Sequence, residues 1–278
     1  MLTSTTKHFL HCLLLCFIII KLLFKSRAIK TDDDDYLAIN PWTEYGTAWT
    51  IFLYIIRYCT LLMLPRTICN FLGLVCYNAF PDKVELKGSP LLVPFICIRV
   101  VTRGDFPDLV KRNVTKNMKT CLDMGFENFL IEVVTDKALN LPKDKRIREI
   151  VVPVDYQTKS GALYKSRALQ HCLEDNINVV NPNDWIVHLD EETIITENSL
   201  RGIMNFVSDG KYPFGQGLIT YANTKVVNWL TTLSDSIRIG EDMGNLRFTF
   251  KFFHKPIFSW KGSYVVTQVS CMIVSSVA

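Results

Sequence analysis

An α/β domain with a mostly parallel sheet covered by helices on both faces, preceded by N-terminal transmembrane helices, is the architecture this sequence predicts. From about residue 81 onward, short apolar runs alternate with amphipathic stretches, as strand–helix–strand units require. Residues 1–80 are instead dominated by two long apolar blocks. Of the 278 residues 49% are hydrophobic, and the mean hydropathy is +0.17. That is enough for one sizeable domain and membrane segments besides.

The first block, residues 9–24 (FLHCLLLCFIIIKLLF), falls a little short of the ~20 residues that span a bilayer, and Lys21 must extend toward the interface. A cleaved signal peptide is the competing reading. No small-x-small cleavage site follows in KSRAIKTDDDD, so an anchor is expected, with Asp32 to Asp35 in a solvated loop. The second block, residues 47–80, contains Arg57 and is broken by Pro65. It predicts one spanning helix and then a kinked or interfacial segment; a hydrophobic hairpin packed on the domain is the alternative. Residues 1–80 thus read as a membrane region, with helices at about 9–24 and 47–80, and residues 81–278 as the globular domain.

Within that domain PLLVPFICIRVV (residues 90–101) reads as a fully buried strand. The helix that follows places Val110, Val114, Met118, Cys121 and Leu122 on one stripe and stops at Gly125. NFLIEVVTD and REIVVP are the second and third strands. GALYKSRALQHCLED is a helix with Leu163, Leu169, Cys172 and Leu173 inward. DWIVHLD is the fourth strand, NSLRGIMNFVSDG a helix, and FGQGLITYA a further strand.

Net charge is +4, with both signs dispersed, which gives no case for nucleic acid. The nine cysteines are odd in number and form no C-x-x-C pair. That argues against a disulfide framework and against zinc, and for reduced thiols facing cytosol or lipid.

The fourth strand ends in HLDEET, three consecutive carboxylates that repel one another unless a cation offsets them. Ligands of open parallel sheets bind beyond the carboxyl ends of the strands. If the backbone stays extended, Asp190 and Glu192 share one side and Glu191 faces elsewhere, an arrangement suited to Mg²⁺ or Mn²⁺. Acids favoured by a helix N-terminus are the bland alternative. The first strand ends in VVTRGD and the second in Thr135-Asp136. The helix after the third strand opens KSGALYKSRALQ, with Lys159, Lys165 and Arg167 near its start. Each alone fits a surface charge or a turn. Together they offer a nucleoside acceptor, phosphate donors and a metal site on one crest.

VVTRGD, EVVTD, TKSGALYKSRALQ and WIVHLDEET resemble the nucleotide-sugar-binding motifs of inverting family 2 glycosyltransferases with the GT-A (Rossmann-like) fold. The longer stretches PFICIRVVTRGDFPDLVKRNV, DWIVHLDEETIITENS and FSWKGSYVVTQVS resemble that family's invertebrate β-1,4-mannosyltransferases, and the likeness runs over nearly the whole chain. The resemblance implies a multi-pass enzyme of the ER or Golgi membrane with its catalytic domain in the cytosol. Such an enzyme transfers mannose from GDP-mannose to glucosylceramide in glycosphingolipid synthesis, with Mn²⁺ or Mg²⁺ as cofactor. Carried over to this chain, Thr102, Arg103 and Asp136 hold the nucleoside, and Lys165 and Arg167 lie near the diphosphate. Asp190 and Glu192 take the DxD role of binding metal and donor phosphates.

The family's general base, an acid of a later E-D pair, and its Q-x-x-R-W segment are expected after VVTQVS. Here CMIVSSVA follows, so the domain reads as incomplete at its C-terminus, with no base assigned and little transfer expected from these residues alone. Glu241-Asp242 is an E-D pair, but it lies in a polar stretch expected to be exposed. An inactive donor-binding or regulatory protein, or a membrane scaffold, is the alternative. Asn113-Val114-Thr115 is a glycosylation sequon, expected to stay unmodified on a cytosolic domain.

Overall fold

Two adjacent parallel strands with almost all side chains buried, β1 (Ile96–Thr102) and β2 (Phe129–Thr135), lie in the interior of the sheet in the computed structural model. The structure describes residues 2–28, 40–80, 82–220, 228–258 and 260–271. It divides into two units, residues 1–82 with 220–259, and residues 83–219 with 260–278.

The second unit carries the sheet. β3 (Ile147–Val151), β4 (Trp185–Asp190), β5 (Phe214–Gln216) and β6 (Val265–Gln268) complete it in the order β3-β2-β1-β4-β6-β5. β1 to β4 run parallel, β6 lies antiparallel to β4, and β5 antiparallel to β6. The mostly parallel sheet expected from the strand–helix alternation is therefore present. The FGQGLITYA run is strand only over Phe214–Gln216, and its last two residues lie outside the described ones.

Helices cover both faces. On one, α5 (Pro107–Asp123) and α7 (Glu197–Asp209) bury Val110, Val114, Leu200 and Met204 against Ile98, Ile131 and Val187. On the other, α6 (Tyr164–His171) brings Ala168, with Cys172 just beyond, against Val134, Ile150 and Val152. α5 ends where expected, at Gly125 with φ +68°, a left-handed conformation that favours glycine. Two inward residues of the sequence reading turn outward. Leu122 sits at the rim of its stripe, and Leu163 precedes the first turn of α6 and is exposed. Cys97, Cys121 and Cys172 are buried free thiols whose burial pushes each pKa up to about 12.

A row of charge crosses the buried sheet. The register sets Arg99 beside Glu132 and His188, and Glu132 beside Arg148. Arg99 Nε donates to Glu132 Oε1 at 2.7 Å, with both side chains sealed from solvent, and Arg148 approaches Glu132 Oε2 at 3.3 Å. Burial, reinforced by Arg99 and Lys165, lowers the His188 pKa to about 3. The folded state therefore holds a neutral imidazole where the unfolded chain takes up a proton near pH 6.5. Stability from this residue is complete above that value and is lost as pH falls toward 3. We expect about 2 kcal/mol of destabilisation between pH 7 and pH 5. The check is the unfolding midpoint against pH, with His188→Asn removing most of the slope.

The first unit holds α1 (Ser4–Ala28), α2 (Pro41–Glu44), α3 (Gly46–Cys59), α4 (Leu64–Cys76) and α8 (Trp229–Glu241). Residues 4–25 and 46–76 are helical segments long and apolar enough to cross a membrane, with mean hydropathies of 2.0 and 1.6. The second changes to a 3₁₀ turn at Thr60–Met63 before Pro65, which sits in the first turn of α4 where its missing N–H is harmless. Residues 220–259, read from sequence as part of the globular domain, group with this unit. The stretch around Glu241-Asp242, expected to be exposed, is packed instead. Asp242, Gly244 and Asn245 are buried, and Glu241 pairs with Arg66. Asp32 to Asp35 lie outside the described residues.

Candidate functional site

The order of the sheet reverses at β1, whose successor β2 lies on one side and β4 on the other. In open α/β sheets this is where strand ends diverge and a ligand enters. The carboxyl ends of β1 and β4 are in register there, Val101 beside Asp190. Thr102, Arg103, Asp136, Lys165, Arg167 and Asp190 sit on this crest, with Asp136 joined to Arg167 and Asp190 to Lys165, while Lys159 and Glu192 are exposed.

From β1, Thr102 accepts the Gly104 N–H at 2.9 Å and donates its hydroxyl to Glu191 Oε2. Gly104 has φ +78°, and a Cβ there would lie 2.9 Å from Thr135 Oγ1. Both the angle and the close approach to the end of β2 call for glycine. The Arg103 guanidinium lies over the Tyr164 ring, 5.5 Å from its centroid. Tyr164 opens α6 with φ +52° and an exposed ring, a conformation rare for an aromatic residue. Beside them Lys137 donates to Asp105 at 2.6 Å and holds its carboxyl below the usual range.

From β2, Asp136 receives Arg167 at 2.8 Å, and the same guanidinium donates to the carbonyls of Pro153, Val154 and Tyr156. Arg167 thus ties the first turn of α6 to the loop after β3. Lys165, also in that turn, donates to Asp190 Oδ1 and to the Gly262 carbonyl at 2.9 Å. The two side chains are 34% and 39% exposed, so a ligand can reach both.

The alternation expected over residues 190–192 does not hold. β4 ends at Asp190, and the Thr193 N–H closes a turn on the Asp190 carbonyl at 2.9 Å. The period of two belongs to extended backbone, and a turn resets it. Glu191, expected to face away, is therefore the acid joined to Thr102, while Glu192 is exposed on the turn.

The turn is fastened from below by α5. Asn113 Nδ2 donates to the Glu191 carbonyl at 2.9 Å. Asn117 donates to the Thr193 carbonyl at 3.1 Å and accepts the Ile195 N–H at 2.8 Å. From the β6 side, buried Ser263 accepts the Asp190 N–H at 2.9 Å and meets Thr193 Oγ1 at 3.0 Å. Sequence reading missed Tyr164, Asn117 and Ser263. Two asparagines four apart on an otherwise apolar helix stripe were the available signal for the α5 pair.

Asn113 is 3% exposed, and its amide nitrogen, the atom a glycan would occupy, is engaged. A folded domain therefore keeps the sequon bare on either side of a membrane, and a bare sequon does not report topology. Asn117→Ala would leave the Thr193 carbonyl and the Ile195 N–H unpaired in a buried place. We expect it to destabilise the sheet unit by about 1–3 kcal/mol, measured by unfolding of the full chain.

The acids of the turn are hard oxygen donors, and Asp190 already accepts a cationic group from Lys165. This donor set fits Mg²⁺ or Mn²⁺, which are held by one or two carboxylates and complete their shell with water and phosphate oxygens.

Residues 185–274 match the family model described as glycosyl transferase family group 2. The chain is 69% identical over 269 residues to beta-1,4-mannosyltransferase egh of Drosophila melanogaster, covering 97% of this chain and 59% of that protein. It is 58% identical over 263 residues to beta-1,4-mannosyltransferase bre-3 of Caenorhabditis briggsae, covering 95% and 58%. The bre-3 protein of Caenorhabditis elegans is 57% identical over the same length. The chain thus spans somewhat under two thirds of the length of the curated relatives it matches. No solved structure matches it.

Proposed function

We propose, from the match of residues 185–274 to the glycosyl transferase family group 2 model, that the chain is the donor-binding part of a membrane-anchored, inverting β-1,4-mannosyltransferase. GDP-mannose is the donor and a glucosylceramide glycolipid the acceptor. The names of the similar proteins support the mannosyl transfer. The observation that carries the donor site is the pairing, at the switch point of the sheet, of Thr102 with Glu191 and of Lys165 with Asp190.

In this reading Thr102, Arg103 and Asp136 hold the nucleoside, and the Tyr164 ring under Arg103 offers a flat apolar surface to the base. Lys165 exchanges Asp190 for a diphosphate oxygen, and Arg167, tied to Asp136 and the loop after β3, holds the first turn of α6 near the diphosphate. Asp190, with Glu192, is then free for the divalent ion, which when bound offsets the negative charge developing on the departing nucleoside diphosphate. The general base that takes the acceptor's proton is left unassigned. α1 and α3–α4 anchor the chain in the endomembrane system, and the sheet unit faces the cytosol, where nucleotide sugars are made.

The test is binding of GDP to the full chain in detergent, with and without Mn²⁺, and with UDP as competitor. We expect metal-dependent binding of GDP in preference to UDP. Binding indifferent to the ion, or a preference for UDP, would overturn the assignment.

A further inference from the structure

Within residues 228–258, the stretch 242–249 has its polarity reversed. From α8 the chain runs on as helix through two π turns, Asp242–Leu246 and Thr249–Phe253, to His254 at φ +56°. Its buried side is polar or small. Asp242, Asn245 and Thr249 are buried, the Asn245 N–H donates to Asn70 Oδ1 at 3.0 Å, and Glu241 pairs with Arg66. Gly244 meets Gly73 of α4 with no room for a side chain on either. α8 buries none of its side chains and shows a polar side as well as an apolar one. Trp229, Leu230, Leu233 and Ile237 form one stripe and are 50–76% exposed, and Phe252 is 64% exposed.

Across the described residues of this unit the same inversion holds. The buried apolar side chain is Leu246, against Thr50, Asp242, Asn245 and Thr249 among the polar ones. Water-soluble domains bury apolar residues and expose polar ones. Small and polar residues between helices, with apolar ones outside, are the arrangement of helices packed in lipid.

We propose that residues 228–258 are a membrane-embedded insertion between β5 and β6, with the Trp229–Ile237 stripe and Phe252 lying against acyl chains. The inference rests on the reading that α1 and α3–α4 are in the membrane, because α4 is the helix this segment packs on. Asp235, Arg238 and Lys251 rule out a span; helices of such composition lie in the plane of the interface, apolar face down. Lys251 and Lys255 beside Phe252 and Phe253 supply the cationic and aromatic border found at headgroup depth.

The test places a photoreactive benzoylphenylalanine singly at Leu233, Ile237, Phe252 and Ile55 of the full chain. Ile55 is an exposed residue of α3. The chain is reconstituted in phosphatidylcholine vesicles containing tritiated phosphatidylcholine and irradiated. We expect lipid adducts at Leu233, Ile237 and Phe252 comparable with those at Ile55. Adducts at Ile55 alone, or cross-links from the other three to a second protein chain, would overturn the insertion and leave the membrane helices standing. Lipid adducts at none of the four would overturn both.

Discussion

Glu132→Ala is expected to destabilise the sheet by about 3–5 kcal/mol. Glu132 is the carboxylate between two arginines in the centre of the sheet, and Arg99 beside it is sealed from solvent. Truncation leaves a buried guanidinium without its counter-charge, and desolvation makes such a charge costly. The sign of a second variant separates this cause from loss of packing. Arg99→Met with Glu132→Leu removes both charges of the sealed pair at similar volume, and should recover most of the loss. The measurement is thermal unfolding of the full chain, with amide exchange on β1 and β2 locating the change. A single variant within about 1 kcal/mol of wild type would mean that water reaches Arg99, against its burial.

Asp190→Asn is expected to abolish metal-dependent donor binding and lower any transfer by about 10²–10³-fold, the scale of removing one group that stabilises developing charge. The substitution keeps shape and neutralises the one acid that both ends β4 and receives Lys165. Glu191→Gln should now matter as well. The turn after Asp190 sends Glu191 to Thr102, so its loss loosens the β1–β4 crest, whereas Glu192 is exposed on the turn. Titration of GDP binding against Mn²⁺ for the three variants ranks them. An Asp190→Asn protein with the wild-type metal dependence would remove Asp190 from the site.

Much of this could be read from the chain. Strands such as FLIEVVT and WIVHLD announce themselves because both faces are buried and the run is nearly all apolar. Their polar ends then had to converge, because parallel strands share one crest. The legible part ended where local geometry departed from the regular period. A turn at Asp190 cannot be told from a seventh strand residue by composition, and it brought Glu191 onto Thr102. Asn117 and Ser263 act through one loop that only the fold brings to them. The polar stretch at Glu241-Asp242 was misread for another reason. Polar residues signal exposure in water, and residues 242–249 are packed with their polar side inward.

The charged row across the sheet also bears on how the strands find their alignment. ICIRVVT and FLIEVVT are apolar on both faces, so hydrophobic patterning penalises a slide of one strand along the other less than it would in a half-buried sheet. A slide by two residues keeps every side chain on its own face and leaves the greasy contacts nearly unchanged. It does not leave Arg99 opposite Glu132. The ion pair therefore carries the positional information that the apolar residues lack, in the way a single buried polar residue sets the alignment of a coiled coil. A two-residue slide between β1 and β2 would move Thr135 from its place beside Thr102 by about 7 Å at ~3.3 Å per residue. The charges in the middle of the sheet thereby act as the gauge that brings the ends of β1 and β2 out level.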